Sequence, residues 1–66
     1  MNRLREFRKK KGLSQLRLAM LTNIQPPDIS RIENNWFRPY PGWRKRLARA
    51  LGTTEAELFP EEQGKV

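Results

Sequence analysis

The side chains of this chain that can do chemistry are hydrogen-bonding and charged groups rather than catalytic ones. The sequence contains no cysteine and no histidine, and its only serines are Ser14 and Ser30. Catalysis by Cys or His is therefore unavailable, and a zinc site would have only carboxylates as ligands. The acids are scattered, and the glycines form no phosphate-binding loop. We expect a protein that is not an enzyme and that uses no metal, cofactor or small-molecule ligand.

Side chains that can form hydrogen bonds with a partner cluster around Pro26 and Pro27. Arginine offers paired N–H donors, aspartate only accepts hydrogen bonds, and a glutamine amide does both. Two isoleucines of this segment, Ile29 and Ile32, fall at the spacing of a buried helix face. The residues left to face outward are Gln25, Pro26, Pro27, Asp28 and Arg31.

The net charge of +7 is unevenly distributed along the chain. Residues 1–52 carry +10, whereas residues 53–66 carry −3. The positive charge of residues 1–52 indicates a polyanionic partner, although the same charge also favours solubility and nonspecific attraction. No apolar run reaches the roughly 20 residues of a membrane span, and the N-terminus lacks the apolar core of a secretory signal. We therefore expect a cytoplasmic protein without a membrane partner.

Two short helices joined by a tight turn must position the outward-facing groups, within residues 15–34. Leu18 and Thr22 recur at helical spacing in the first half, and the two isoleucines do so in the second. Asn23 readily takes the left-handed conformation that a tight turn needs, and Pro26 suits the first position of a new helix. Two helices joined in this way form a helix-turn-helix unit.

Three further short helices are predicted around this unit, which makes the domain all-α. The first runs from residue 3 to residue 10 or 11, with Asn2 as its N-cap and Gly12 as its left-handed stop. Ser14 is predicted to cap the second helix. The fourth helix ends at Gly52 for the same reason that the first ends at Gly12.

The second half of the chain is predicted to contain a linker and two helices. Prolines and a glycine argue against regular structure in the linker, residues 34–42. Thr54 and Glu57 form a capping-box pair that opens the last helix. The domain is expected to span residues 1–60, and residues 61–66 to form a short frayed acidic tail. The fourth helix is expected to bury Trp43, Leu47, Ala50 and Leu51.

Residues 4–59 resemble the phage repressor and Cro type of helix-turn-helix domain, the family often called XRE-like. The resemblance rests on an ordered set of matches at family spacing: Arg8 before Gly12, LSQ at 13–15, LA at 18–19, ISRIEN at 29–34, ALG at 50–52 and ELF at 57–59. It implies a compact five-helix, lambda-repressor-like fold and double-stranded DNA as the partner.

The resemblance also implies how DNA would be read. In the family the third helix, residues 26–33 here, enters the major groove with its N-terminal residues at the base edges. Arg31 would address guanine, Gln25 adenine or a phosphate, and Asp28 a cytosine amino group. The prolines have two open interpretations: their rings pack against thymine methyl groups, or they only rigidify the helix start. For Asp28 the alternative to base contact is that its charge complements the N-terminal dipole of the helix. The predicted base-reading residues are Gln25, Pro26, Pro27, Asp28 and Arg31.

Contacts to the DNA backbone are implied for the segments on either side of the third helix. They would fix register without conveying sequence. For Gln15 the alternative is an exposed helix-start residue, and for the asparagines it is simple helix termination. Arg8 and Glu33 match positions that form a structural ion pair in the family. The predicted phosphate-binding residues are Gln15, Arg17, Ser30, Asn34, Asn35 and Arg38.

Four of the six aromatic residues lie within eight positions: Trp36, Phe37, Tyr40 and Trp43. Packing in the core and linker is one interpretation of this cluster. Self-association and contact with the sugar-phosphate backbone are the alternatives. Leu16 and Met20, on the outward side of the second helix, are expected to pack against it.

The combined pattern predicts a small transcriptional regulator of bacterial or phage origin, a repressor that associates with the nucleoid when bound to DNA. So small a domain should bind modestly alone, so we expect a homodimer on a pseudo-palindromic operator with half-sites about one helical turn apart. The alternative is an antitoxin-like or regulatory protein-interaction module with the same fold. A cationic membrane-surface peptide is disfavoured, because no long amphipathic helix is present.

Overall fold

The computed structural model describes residues 2–60, and these residues form five α-helices without strands. The all-α prediction is thereby confirmed. The tail predicted for residues 61–66 lies outside the described residues. Among residues 2–60, no helix combines the length and apolarity that crossing a membrane requires. The helices are α1 (Leu4–Lys10), α2 (Gln15–Thr22), α3 (Pro26–Glu33), α4 (Pro41–Leu51) and α5 (Glu55–Leu58).

Left-handed residues separate the helices where the sequence predicts them. Asn23 ends α2 with a φ of 60°, and its backbone N–H donates to the carbonyl of Ala19. Gly12, after α1, has a φ of 70°. An L side chain is disfavoured in this region, and glycine and asparagine tolerate it best. The sharp turn at Asn23 is what sets α2 and α3 at an angle.

The core is a single apolar cluster drawn from all five helices and the α2–α3 turn. α2 packs against both α3 and α4, α4 packs against α5, and α1 packs against α3. Ile24 is buried in the turn itself, so the helix-turn-helix unit carries part of the core. The buried apolar residues are Leu4, Leu18, Ala19, Ile24, Ile29, Ile32, Leu47, Ala48, Leu51, Leu58 and Phe59.

Side-chain caps hold the starts of three helices. The Ser14 hydroxyl accepts from the Arg17 backbone N–H at 3.0 Å, as predicted. Asn2 Oδ1 accepts from the Leu4 N–H at 3.0 Å, although Arg3 rather than Asn2 occupies the N-cap position. Each such cap satisfies a backbone donor that the helix itself leaves unpaired.

The capping box predicted for α5 is only half formed. The Thr54 hydroxyl accepts from the Glu57 backbone N–H at 3.1 Å. The Glu57 carboxylate, however, accepts from the hydroxyl of Thr53 instead of turning back to the N-cap backbone. The carboxylate is thus engaged by the neighbouring threonine, and the reciprocal half of the prediction is wrong.

The linker is shorter than the sequence predicts. The expectation of irregular structure through residue 42 is wrong for its last two residues, because α4 begins at Pro41. A proline at the first helical position loses no helical hydrogen bond, and its fixed φ already suits the helix. Ala48 is buried and Ala50 only partly so, which shifts the predicted core side of α4 slightly.

Candidate nucleic-acid interface

The first four residues of α3 present an apolar surface and no unpaired backbone N–H. Pro26 and Pro27 occupy its first positions and have no N–H. The next two N–H groups, of Asp28 and Ile29, both donate to the carbonyl of Gln25, at 2.9 and 3.1 Å. Pro27 and Gln25 are exposed and Pro26 is partly buried. This end of α3 therefore offers rings and the Gln25 side chain to a partner.

Asp28 and Arg31 face outward together and pair with each other. Arg31 Nη1 lies 3.0 Å from Asp28 Oδ1, and the Arg31 side chain is 58% exposed. Sequence reasoning missed this pair, although a spacing of three residues on a helix favours it. An exposed ion pair contributes at most about 1 kcal/mol, whereas a bidentate contact from arginine to guanine discriminates by about 1–3 kcal/mol. The pair therefore does not prevent Arg31 from engaging a base.

Glu33, at the end of α3, is joined to α1 by a buried ion pair with Arg8. Arg8 Nε donates to Glu33 Oε2 at 2.5 Å and Nη2 donates to Oε1 at 3.2 Å. The Glu33 side chain is 0% exposed and that of Arg8 is 10% exposed. Arg8 Nη1 also donates to the carbonyl of Leu13 at 2.8 Å, which ties the α1–α2 loop to the pair. The structure thus brings the two predicted partners together.

Two further side chains converge on the same carboxylate. Gln15 Nε2 donates to Glu33 Oε1 at 2.9 Å, and Arg5 Nε does so at 3.3 Å. Sequence reasoning missed Arg5. It lies one helical turn before Arg8 on α1, so pairing of Arg8 with Glu33 was itself a signal that Arg5 would be near. These four residues, Arg5, Arg8, Gln15 and Glu33, are called the Glu33 cluster below.

The Glu33 carboxyl stays ionised in this cluster. Burial raises its pKa, but hydrogen bonds from Arg8, Gln15 and Arg5, together with the charge of Arg8, outweigh that effect. The pKa of Glu33 is therefore below its ordinary value of 4.5. A buried carboxylate that is stabilised only in the folded protein links folding to pH.

We expect acid to destabilise the domain through Glu33. Because the pKa of Glu33 is lower in the folded than in the unfolded chain, its contribution is complete above 4.5 and is lost as pH falls through the folded value. A hydrogen bond from Arg3 also lowers the pKa of the exposed Glu6, to about 2. The substitution Glu6→Gln removes that second contribution. The melting temperature of this variant, measured between about pH 7 and pH 2, then reports on Glu33. A melting temperature of this variant that is independent of pH would contradict the assignment to Glu33.

The loop after α3 is held by asparagines. Asn34 Nδ2 donates to the Ser30 carbonyl at 2.8 Å, and Asn35 adopts a left-handed φ of 61°. Asn2 Nδ2 donates to the carbonyl of Ile32 at 2.7 Å and to Asn35 Oδ1 at 3.0 Å. The N-terminal end of the chain thus fixes the end of α3. Of the six predicted phosphate contacts, Arg17, Asn34, Asn35 and Arg38 are exposed, and Gln15 and Ser30 are partly buried.

The four linker aromatics divide into two groups. Phe37, Tyr40 and Trp43 contact one another edge to face, with ring centroids 4.8–5.9 Å apart. Phe37 and Trp43 also pack against the core. Trp36 is 78% exposed and Tyr40 56%, so packing covers Phe37 and Trp43 but leaves much of the other two rings uncovered. Its backbone N–H donates to the Arg31 carbonyl at 2.9 Å, which fixes its backbone at the end of α3.

The outward side of α2 remains exposed next to the turn. Leu16 and Met20 are 60% and 67% exposed, so the structure leaves most of both side chains uncovered instead of packing them against the aromatics. They line a shallow groove of about 200 Å³ whose far wall includes Ile24, Gln25 and Pro26. The apolar surface at the start of α3 therefore extends onto α2.

A family model described as a helix-turn-helix domain matches residues 1–63. The chain belongs to the helix-turn-helix family. This match confirms the resemblance to the XRE and Cro-like type. No curated protein is similar enough to count as a match. A helix-turn-helix domain implies DNA as the partner, and such domains are typically not enzymes.

Most of the basic side chains of this helix-turn-helix domain are exposed. Arg8 is buried against Glu33, and Arg44 is partly buried with its Nε 3.4 Å from Glu55 Oε1. Among residues 2–60, no group of acidic side chains is arranged to hold a metal ion. The exposed basic residues are Arg3, Arg5, Lys9, Lys10, Lys11, Arg17, Arg31, Arg38, Lys45, Arg46 and Arg49.

Proposed function

We propose that this domain binds double-stranded DNA sequence-specifically as a transcriptional repressor, with α3 in the major groove. The observation that carries the proposal is the outward side of α3. Arg31 is exposed there, while Ile29 and Ile32 on the opposite side are fully buried. A helix held by its apolar side, with an arginine on its outer side, fits the width and chemistry of the major groove. Acting on DNA in a bacterium, the protein would be cytoplasmic and nucleoid-associated.

Base reading at the start of α3 would be apolar. Pro26 and Pro27 have neither a polar side chain nor an N–H, so neither can form a bidentate contact with adenine or guanine. The adjoining groove with Leu16 and Met20 continues this apolar surface. Thymine methyl groups are the apolar feature of the major groove, and we assign them to this surface. Polar specificity then depends on Arg31, Gln25 and Asp28, and on DNA shape.

Binding as a pair would compensate for the small footprint of one domain. We propose a homodimer on a pseudo-palindrome whose half-sites lie about one helical turn apart. By family analogy the surface would include the end of α4 and α5, with the linker aromatics beside them. Tyr40, which is 56% exposed, is one apolar group available there. Sedimentation should detect dimers, and a monomer that binds a single half-site with full affinity would contradict this part.

The salt dependence of DNA affinity tests the proposal. If about six phosphates are contacted by each monomer, log affinity should fall with log salt at a slope of roughly −5. The measurement is a fluorescence-anisotropy titration of a duplex at several salt concentrations. If duplex DNA is bound weakly and independently of salt, the antitoxin-like interaction module becomes the better account, because a protein surface would then be the target.

Two glutamines should differ in how their loss affects binding. Gln15→Ala is expected to weaken binding to all sequences by a similar factor, because a phosphate contact carries no sequence information. Gln25→Ala removes an amide of the same size at the start of α3, and should relax preference at one base pair. Titrations of each variant on selected and random duplexes separate the two effects. A sequence-dependent loss for Gln15→Ala would move Gln15 to the base-reading group.

A further inference from the structure

The Glu33 cluster contains more positive charge than its carboxylate can neutralise. Arg8 engages both oxygens of Glu33 and is buried with it. That bidentate geometry is the strong form of an arginine–carboxylate pair. Arg5 adds a second guanidinium at the longer distance of 3.3 Å, and its side chain is 50% exposed. The pair formed by Arg8 and Glu33 is complete without Arg5, so the charge of Arg5 remains in surplus at the surface.

The position of Arg5 connects the two ends of the helix-turn-helix unit. Through Glu33 Oε1 it shares an acceptor with Gln15, the first residue of α2. Its Nη2 donates to Asn34 Oδ1, directly after α3, at 3.2 Å. Gln15 and Asn34 are two of the residues proposed to contact the DNA backbone. A guanidinium carries more N–H donors than these two bonds use, so Arg5 keeps donors for an outside acceptor.

We propose that Arg5 contacts a phosphate of the DNA backbone and acts with Gln15 and Asn34 to fix the domain on the duplex. The acceptor that suits surplus guanidinium donors beside two amides is an anionic oxygen, and a charge-assisted bond from arginine is stronger than one from an amide. This assignment rests on the proposed function and adds a residue of α1 to it. Glu33 then both neutralises Arg8 and orients Arg5 and Gln15.

The test compares Arg5→Gln with Arg3→Gln, a variant with the same change of charge. Arg3 pairs with Glu6 and lies over the Phe7 ring, away from the Glu33 cluster. Loss of one phosphate contact should reduce the salt slope by about 0.9. We compare the affinity of each variant with that of wild type at two salt concentrations. Between about 1 M and about 0.1 M salt, the affinity of Arg5→Gln relative to wild type should fall roughly eight-fold, on specific and random duplexes alike. For Arg3→Gln the fall should be less than about two-fold, because distant exposed charges are screened.

A merely structural role for Arg5 would change stability but not the salt slope. Arg5→Lys keeps the charge and should retain most of the slope, and thermal unfolding of each variant reports folding separately. In unmodified protein, the Arg5 Nε–H resonance should shift when duplex DNA is added, while that of Arg3 stays in place. If wild type binds DNA but Arg5→Gln keeps the same slope as Arg3→Gln, the Arg5 assignment is wrong and the proposed function stands. If wild type binds no duplex at all, both are wrong.

Discussion

Replacing Glu33 by glutamine is expected to lower the free energy of unfolding by about 3–5 kcal/mol, because it leaves the buried guanidinium of Arg8 without its counter-charge. Both carboxylate oxygens of Glu33 accept hydrogen bonds from Arg8, and the Glu33 side chain is fully buried. Small domains lie near the lower end of the usual range of about 5–15 kcal/mol. Urea unfolding followed by circular dichroism should therefore find a variant that is partly unfolded at room temperature.

The matched control for this variant is Glu6→Gln. Glu6 pairs with Arg3 at the surface, where both side chains are more than 40% exposed. Surface pairs contribute little, so the unfolding curve should barely move. Combining Arg8→Gln with Glu33→Gln should cost less than the sum of the two single changes, because each alone leaves a buried partner unpaired. Additive losses, or a Glu33→Gln variant as stable as Glu6→Gln, would show that the ion pair does not hold α1 to α3.

Replacing Arg31 by alanine is expected to cost about 1–3 kcal/mol of affinity on the preferred DNA and to relax preference at one base pair. The reason is the loss of paired N–H donors on the outward side of α3. The Asp28 partner of Arg31 is released at the same time, and its negative charge adds to the loss. Competition titrations against duplexes that vary each position of the site give the measurement.

Random duplex DNA and a second arginine supply the controls for Arg31. On random sequence, Arg31→Ala should lose only the modest part of the affinity that one positive charge contributes through attraction to the phosphates. Arg3→Ala, remote from α3, should change neither affinity nor preference beyond screening effects. Equal losses on specific and random DNA for Arg31→Ala would make Arg31 a backbone contact, and specificity would then have to come from the apolar surface and DNA shape.

The helices and turns were predictable because each depends on local chemistry. Asn23 and Gly12 adopt the left-handed conformation that their residue types allow, and Ser14 caps α2 through its own hydroxyl. The linker prediction is wrong at Pro41 because proline is also typical of irregular segments. The same ring is well suited to a first helical position, and which role applies depends on the packing of the following residues.

The candidate site was less predictable because it depends on contacts between distant segments. The participation of Arg5 requires α1 to lie beside the end of α3, and the link from Asn2 to Asn35 crosses 33 positions of sequence. The division of the aromatics, with Trp36 exposed and Phe37 packed, likewise follows from where the loop leaves α3. Sequence spacing gives no direct measure of such arrangements.

The central claim, sequence-specific DNA reading by α3, is tested most directly by selection from random oligonucleotides with purified protein. We expect enrichment of one motif with two inverted half-sites about one helical turn apart. Each half should contain a guanine that pairs with Arg31 and thymines that contact the apolar surface at the start of α3. Selection with Arg31→Ala should lose the preference for the guanine alone. Failure of wild-type protein to enrich any motif would contradict the claim and favour a protein-interaction module.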